Sequence, residues 1–346
     1  MVEAHPTDWA EPGRLVSNGP FILESWERGQ RLVLTRNPAY AGRFTGNVQR
    51  AELYFDQSDM LALYEADQRD IALHIHFKWS PPEREHALQR YVGEYMLSPA
   101  LWVSYLGFDV TQPPFHDARV RRALAMAADR EKLVSVALHG EVFPATGGLT
   151  PPNMFGHSPG IALPYDPDRA RRSLAEAGYP GGQGFPAVFT WIPTTPAFRL
   201  FREMFRYLQA QWREQLGLEI TVEPMEGAEA GAYYDQLREA PPSLFLAPWL
   251  LDYPDPDNIL RLGSFRSYTR WRNETYDRLL EEARRTMDAD ARLQKYQQAD
   301  RLLVEEAAVV PLSYQWHHAL VKPWVKRFFV TPTTMYFLRD VILEPH

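Results

Sequence analysis

Residues 187–246 read AVFTWIPTTPAFRLFREMFRYLQAQWREQLGLEITVEPMEGAEAGAYYDQLREAPPSLFL, and this stretch decides the fold class. Ala187 to Ile192 is rich in β-branched and aromatic residues and reads as a strand. Phe198 to Leu216 repeats apolar residues at helical spacing and is closed by Gly217, the residue that most easily adopts the left-handed stop of a helix. Leu218 to Val222, Gly231 to Glu239 and Ser243 to Leu246 continue as strand, helix and strand. The order β-α-β-α-β predicts a sheet covered by helices.

Upstream, Asp166 precedes Pro167 at the start of a helix that runs through Leu174 to Gly178. A loop rich in Pro and Gly, from Pro144 to Leu163, separates it from a helix capped by Asp117, with Val120, Leu124, Ala127, Val134 and Leu138 on its apolar face and Gly140 as its stop. Before Pro113-Pro114 the chain mixes strands and short helices. FILESW and RLVLT flank Glu27-Arg28-Gly29-Gln30 and predict a hairpin. Ala51 to Phe55 is a strand candidate, Asp59 to Asp67 a helix, and WVSYLGFDV (102–110) a strand. Downstream, Asn273 to Glu306 is helical with a break at Met287–Asp290, and Val309 to Leu312 and Ala319 to Val321 are closing strands.

Composition narrows the function classes. In 346 residues, 45% are hydrophobic and 23% charged, an ordinary globular balance, and single cores stop growing near 250 to 300 residues, so two lobes are expected. A net charge of −7 with dispersed Arg residues leaves no electrostatic footprint for nucleic acid. With no cysteine, disulfide scaffolds, Cys-ligated metals and thiol nucleophiles are excluded. The longest apolar run, residues 244–251, is too short to span a bilayer. MVEAHPTDWAEPGRLVSNGP lacks the basic start and apolar stretch of a secretion signal, so either a leader has been removed or the chain begins inside a longer one.

Five segments then point the same way: NGPFILESWERGQRLVLTRNPAY (18–40), PPFHDARVRRALAMAADREKLV (113–134), YDPDRARRSLAEAGYP (165–180), WLLDYPDPDN (249–258) and VVPLSYQWHHALVKPWV (309–325). In this order they resemble the extracellular solute-binding proteins of peptide and nickel type, family 5, which feed bacterial ABC importers. The resemblance covers nearly the whole chain. It implies an α/β, two-lobed periplasmic-binding-protein-like (type II) fold with the N-terminal part of the first lobe missing. Residues 1–106, completed by 315–346, would form the first lobe, and 107–314 the second. It implies a non-enzymatic protein that binds a small, peptide-like solute between its lobes for delivery to ABC importer membrane subunits. Such a protein is expected to be an extracytoplasmic monomer without cofactors. The other reading is a ligand-sensing C-terminal domain of a larger, cytoplasmic regulator.

By position in WLLDYPDPDN, the resemblance gives Asp252 the role of the aspartate that meets a ligand ammonium; on composition alone the run is a solvated turn. Trp249 and Tyr253 flank it, and Trp102, Tyr105 and Phe108 lie on the strand leading toward the hinge. Aromatics there would supply contact area. Trp102 and Tyr105, three apart on a strand, face opposite sides, so one of them is expected to face the ligand. Pro248 has no N–H for an extended ligand, and Leu246, Ala247 and Pro248 offer no cation for a carboxylate, two departures from a site for short free peptides. No catalytic or metal-binding residues are expected. His74 and His76, or His317 and His318, lack the i, i+4 spacing of a zinc peptidase. Asp252, Asp255 and Asp257 lack the glycine and glutamate of a calcium loop. GYPGGQGFP follows a helix, the reverse of a phosphate loop, and no Gly-x-Ser-x-Gly elbow exists.

Overall fold

Capping chemistry fixes most element ends. Asp117, Asp166, Asn273 and Asp288 each precede a helix and accept a hydrogen bond from a backbone N–H of its first turn. Gly217, at φ +69°, ends the helix Arg199–Leu216. The computed structural model describes residues 8–55, 60–74 and 79–346. His76 and the first residue of the expected Asp59–Asp67 helix lie outside them; the helix itself spans Met60–Glu65. Among the described residues the strands are β1 (Phe21–Glu27), β2 (Arg31–Arg36), β3 (Arg50–Tyr54), β4 (Ile71–His74), β5 (Tyr95–Phe108), β6 (Phe143–Pro144), β7 (Val188–Pro193), β8 (Ile220–Met225), β9 (Leu244–Leu250), β10 (Val309–Val321), β11 (Val325–Lys326) and β12 (Ile342–Leu343).

The chain divides into two units, residues 1–98 with 317–346, and residues 99–316. The backbone passes from one to the other within β5 and again within β10.

In unit 1 the expected hairpin forms, with Phe21 opposite Arg36 and Glu27 opposite Arg31, and Gly29 takes φ +74° in the turn. β3 extends it antiparallel along β2. One apolar cluster gathers Leu61, Tyr64, Ala72, Trp79, Ala87 and Leu320, and a second gathers Val48, Val325, Phe328, Val330 and Val341. Gly46 closes the second. Its N–H donates to the Arg339 carbonyl at 2.8 Å, and a Cβ there would lie 2.0 Å from the Val341 carbonyl oxygen. Gly46→Ala is therefore expected to destabilise this unit by about 1–3 kcal/mol, the usual cost of overpacking against a backbone that cannot move aside. Urea denaturation beside Gly93→Ala, where a Cβ would meet nothing within 4 Å, checks it; equal midpoints for the two variants would refute the packing argument.

In unit 2, β7 and β8 pair in parallel from Val188 opposite Ile220 to Pro193 opposite Met225. The helix Arg199–Leu216 connects them and buries Leu200, Phe201, Met204, Phe205, Leu208, Trp212 and Leu216. The third strand departs from expectation. β9 does not hydrogen-bond to this pair; it runs antiparallel to β5, with Leu244 opposite Phe108 and Leu250 opposite Trp102. The burial of the strands matches this pairing: Leu244 to Ala247 are buried and lie opposite the equally buried Tyr105 to Phe108, whereas β8 exposes Thr221, Glu223 and Pro224. The helix capped by Asp117 also stops earlier, at Met126, because Asp129 accepts from Lys132 N at 3.0 Å and starts a new turn. The two closing strands are one, β10.

Candidate functional site

β9 ends at Leu250, and the chain is pinned as it leaves: Leu251 N–H donates to the Leu101 carbonyl at 2.9 Å. Asp255 then caps the short helix Pro256–Leu260, accepting from Asp257 N at 2.9 Å, and that helix is buried throughout. Asp-Pro therefore starts a helix here, as it does at Asp166-Pro167, and turns Asn258 back toward β9. Asn258 is fully buried. Its Oδ1 accepts from Trp249 Nε1 at 2.9 Å, and its Nδ2 donates to Asp252 Oδ2 at 3.3 Å. One amide thus orients both the aromatic and the carboxylate that sequence reasoning singled out.

The three aspartates of the segment are treated differently. Asp255 Oδ1 accepts from Arg292 at 2.8 Å. Asp257 takes both oxygens to Arg261 Nε, at 2.8 and 2.9 Å, and accepts from the Tyr296 hydroxyl at 2.9 Å. Asp252 is exposed and, among the described residues, pairs with no cation. Tyr253 beside it is 39% exposed, with its hydroxyl 3.5 Å from Asp257 Oδ2. The arrangement is an oriented carboxylate next to two partly exposed aromatics, with its neighbouring carboxylates already paired, and such a carboxylate can accept a charge-assisted hydrogen bond from a cation.

Burial pushes the Asp257 carboxyl up, but the Arg261 and Tyr296 hydrogen bonds outweigh it and hold the group below its ordinary value. A carboxyl depressed in the folded state contributes stability above its unfolded value, near 3.9, and loses it as the pH falls through the folded value. The stability difference between wild type and Asp257→Asn, measured by chemical denaturation, should hold steady from about pH 7 to 5 and narrow below about 4. A pH-independent difference would remove the ion pair as its cause.

The aromatics of β5 separate into distinct roles. Trp102 is partly exposed, and its Cα partner is Leu250, whereas Trp249 is paired with Val103, so the two indoles leave opposite faces of the β5–β9 ladder. Tyr105 is 1% exposed, near Tyr268, Tyr234 and Tyr233, where burial pushes its hydroxyl far up. Phe108 is wholly buried against Phe115, ring centroids 4.9 Å apart, and lies six residues along the strand from Trp102, about 20 Å at the rise of a β-strand. Asp252, Trp249 and Tyr253 come together; Tyr105 and Phe108 pack the interior of unit 2. His317 and His318, successive in β10, also point to opposite faces, and His318 Nδ1 lies 2.7 Å from the Tyr95 hydroxyl. Asn258 was not anticipated. Its signal is positional: the third residue after an Asp-Pro helix start lies in the first turn, where an amide can reach back to the preceding strand.

Residues 1–269 match the family described as bacterial extracellular solute-binding proteins, family 5 Middle. The chain is 28% identical over 360 residues to the probable deoxycholate-binding periplasmic protein YgiS of Escherichia coli K12, covering all of this chain and 64% of that protein. It is 26% identical over 340 residues to the periplasmic oligopeptide-binding protein OppA of the same organism, covering 94% and 60%. It thus spans about three fifths of the length of the curated relatives it matches. Among solved structures, the Escherichia coli murein tripeptide binding protein MppA superposes with a TM-score of 0.79 at 25% identity, over all of this chain and 68% of that one. The fold is that of the periplasmic binding proteins.

Proposed function

The chain belongs to the bacterial extracellular solute-binding proteins of family 5, and on that premise we propose that it binds, without converting, a small amine-bearing solute of peptide type for delivery to an ABC importer. The observation that carries this reading is the contrast among the three aspartates: Asp255 and Asp257 are paired with Arg292 and Arg261, whereas Asp252 is held by Asn258 and has no cation partner among the described residues. In this reading Asp252 receives the ligand ammonium, Trp249 and Tyr253 supply contact area, and Asn258 is a positioning residue. Extracytoplasmic placement and a partnership with importer membrane subunits go with the reading; relatives named for periplasmic binding favour it over a cytoplasmic sensor. Pro248 lacks an N–H for an extended ligand, so affinity would rest on the ammonium anchor and the aromatics more than on a continuous backbone ladder.

Calorimetry on the full-length protein tests the class of ligand. A tripeptide with a free amino terminus should bind and be recovered intact, while its N-acetyl form, which carries no ammonium, should bind at least tenfold more weakly. Equal affinity for the two, or recovery of hydrolysed peptide, would overturn the proposal.

A further inference from the structure

A pocket of about 440 Å³ opens in unit 1, apart from Asp252 and its neighbours in unit 2, lined by Arg43, Thr45, Arg327, Phe329, Arg339 and Asp340. Three guanidinium groups face one carboxylate there, a surplus of two positive charges in a chain whose net charge is −7. They come from segments nearly 300 residues apart, so their convergence is set by the fold.

The one carboxylate is already committed. Asp340 Oδ1 accepts from Thr45 Oγ1 at 2.5 Å, and its Oδ2 lies 3.7 Å from Arg339 Nε, a buried nitrogen with no hydrogen bond. Arg339 also donates to the Tyr40 hydroxyl at 3.0 Å. Arg327 reaches Thr45 only at 3.3 and 3.5 Å, and it is held at φ +60°, where residues with a Cβ are uncommon. Arg43 makes no hydrogen bond or ion pair among the described residues. Two guanidinium forks are therefore available beside the half-exposed ring of Phe329.

We infer that this pocket binds a phosphate monoester, its oxygens on the forks of Arg43 and Arg327 and its organic part against Phe329. Arginine matches phosphate bidentately, and a monoester near neutral pH carries roughly −1.5 to −2, which balances the surplus; a single carboxylate would leave one guanidinium uncompensated. The monoester could be a free small molecule or a lipid headgroup.

Calorimetry of the full-length protein with glycerol 3-phosphate, and co-sedimentation with phosphatidic acid or phosphatidylcholine vesicles, separate the two sources. Saturable binding to glycerol 3-phosphate, reduced tenfold or more in Arg43→Gln/Arg327→Gln, supports a free ester. Binding to phosphatidic acid but not phosphatidylcholine vesicles, lost in the same variant, supports the headgroup. Arg43→Gln alone removes no hydrogen bond or ion pair among the described residues and should still weaken binding severalfold, so a misfolded double variant does not obscure the result. Absence of saturable binding to either probe, or binding equal in wild type and both variants, would overturn the inference.

Discussion

Asp252→Ala is expected to weaken binding of an amine-bearing ligand by about 2–5 kcal/mol, roughly 30-fold or more, because the ligand ammonium would lose the counter-charge of Asp252 as it is desolvated. The comparison that gives this number meaning is Asp255→Ala, three residues away. Asp255 caps the helix Pro256–Leu260 and pairs with Arg292, so its removal should lower stability by about 1 kcal/mol through the lost cap while leaving Asp252, Asn258 and Trp249 in place. Affinity should then change little. Titration of wild type and both variants with the same tripeptide checks the pair; equal losses in the two variants would mean that the segment acts through its fold and not through an anchor. Asn258→Ala should fall between them, since Asp252 would keep its charge but lose the amide that orients it.

Asp300→Ala is expected to destabilise unit 2 strongly. Asp300 is completely buried, and its carboxylate accepts from Leu149 N at 2.8 Å and from Thr150 N at 3.1 Å, which satisfies a tight loop whose Gly148 leaves no room for a Cβ. Burial pushes the carboxyl up, and the two N–H bonds oppose that. Alanine leaves both donors buried and unpaired at about 1–3 kcal/mol each, which should lower the melting temperature by the order of 10 °C. Asp300→Asn, which keeps one acceptor but turns an amide toward the other N–H, should lie between. Thermal unfolding followed by circular dichroism decides it: a melting temperature within about 2 °C of wild type for the alanine variant would show that the loop finds other acceptors.

Features written in local chemistry were legible in the sequence. The hairpin around Gly29, the helix stopped by Gly217, and the Asp-Pro and Asn-capped helices each depend on a few adjacent residues, and each forms where its signal stands. Pairing across long separations was not. β9 had two apolar faces and could have joined β7 or β5; its buried residues pair with the buried Tyr105 to Phe108 of β5, about 140 residues earlier in the chain. Periodicity marks Val120 and Leu124 as core but says nothing of Arg121, whose guanidinium is buried and donates to the carbonyls of Phe115, Glu306 and Ala307. Desolvation lowers that group to about 10, and Arg130 likewise, donating to Pro311 and Leu163. The same limit governs the site. Of the three aspartates in DYPDPDN, the Asp-Pro signal marks Asp255 as a cap, but the pairing of Asp255 with Arg292 and of Asp257 with Arg261, which separates both from Asp252, depends on the fold. Aromatic content alone likewise could not assign Tyr105 and Phe108 to the interior and Trp249 and Tyr253 to a partly open surface.

A ligand cation is expected to meet the carboxylate of Asp252. A crystal structure of the full-length protein with an amine-bearing ligand bound tests it most directly. The expected result is a ligand nitrogen within hydrogen-bond distance of Asp252, about 2.7–3.2 Å, with the ligand chemically unchanged and Trp249 or Tyr253 against it. A bound ligand whose nitrogen lies beyond about 6 Å from Asp252, too far to count as its counter-charge, would contradict the account.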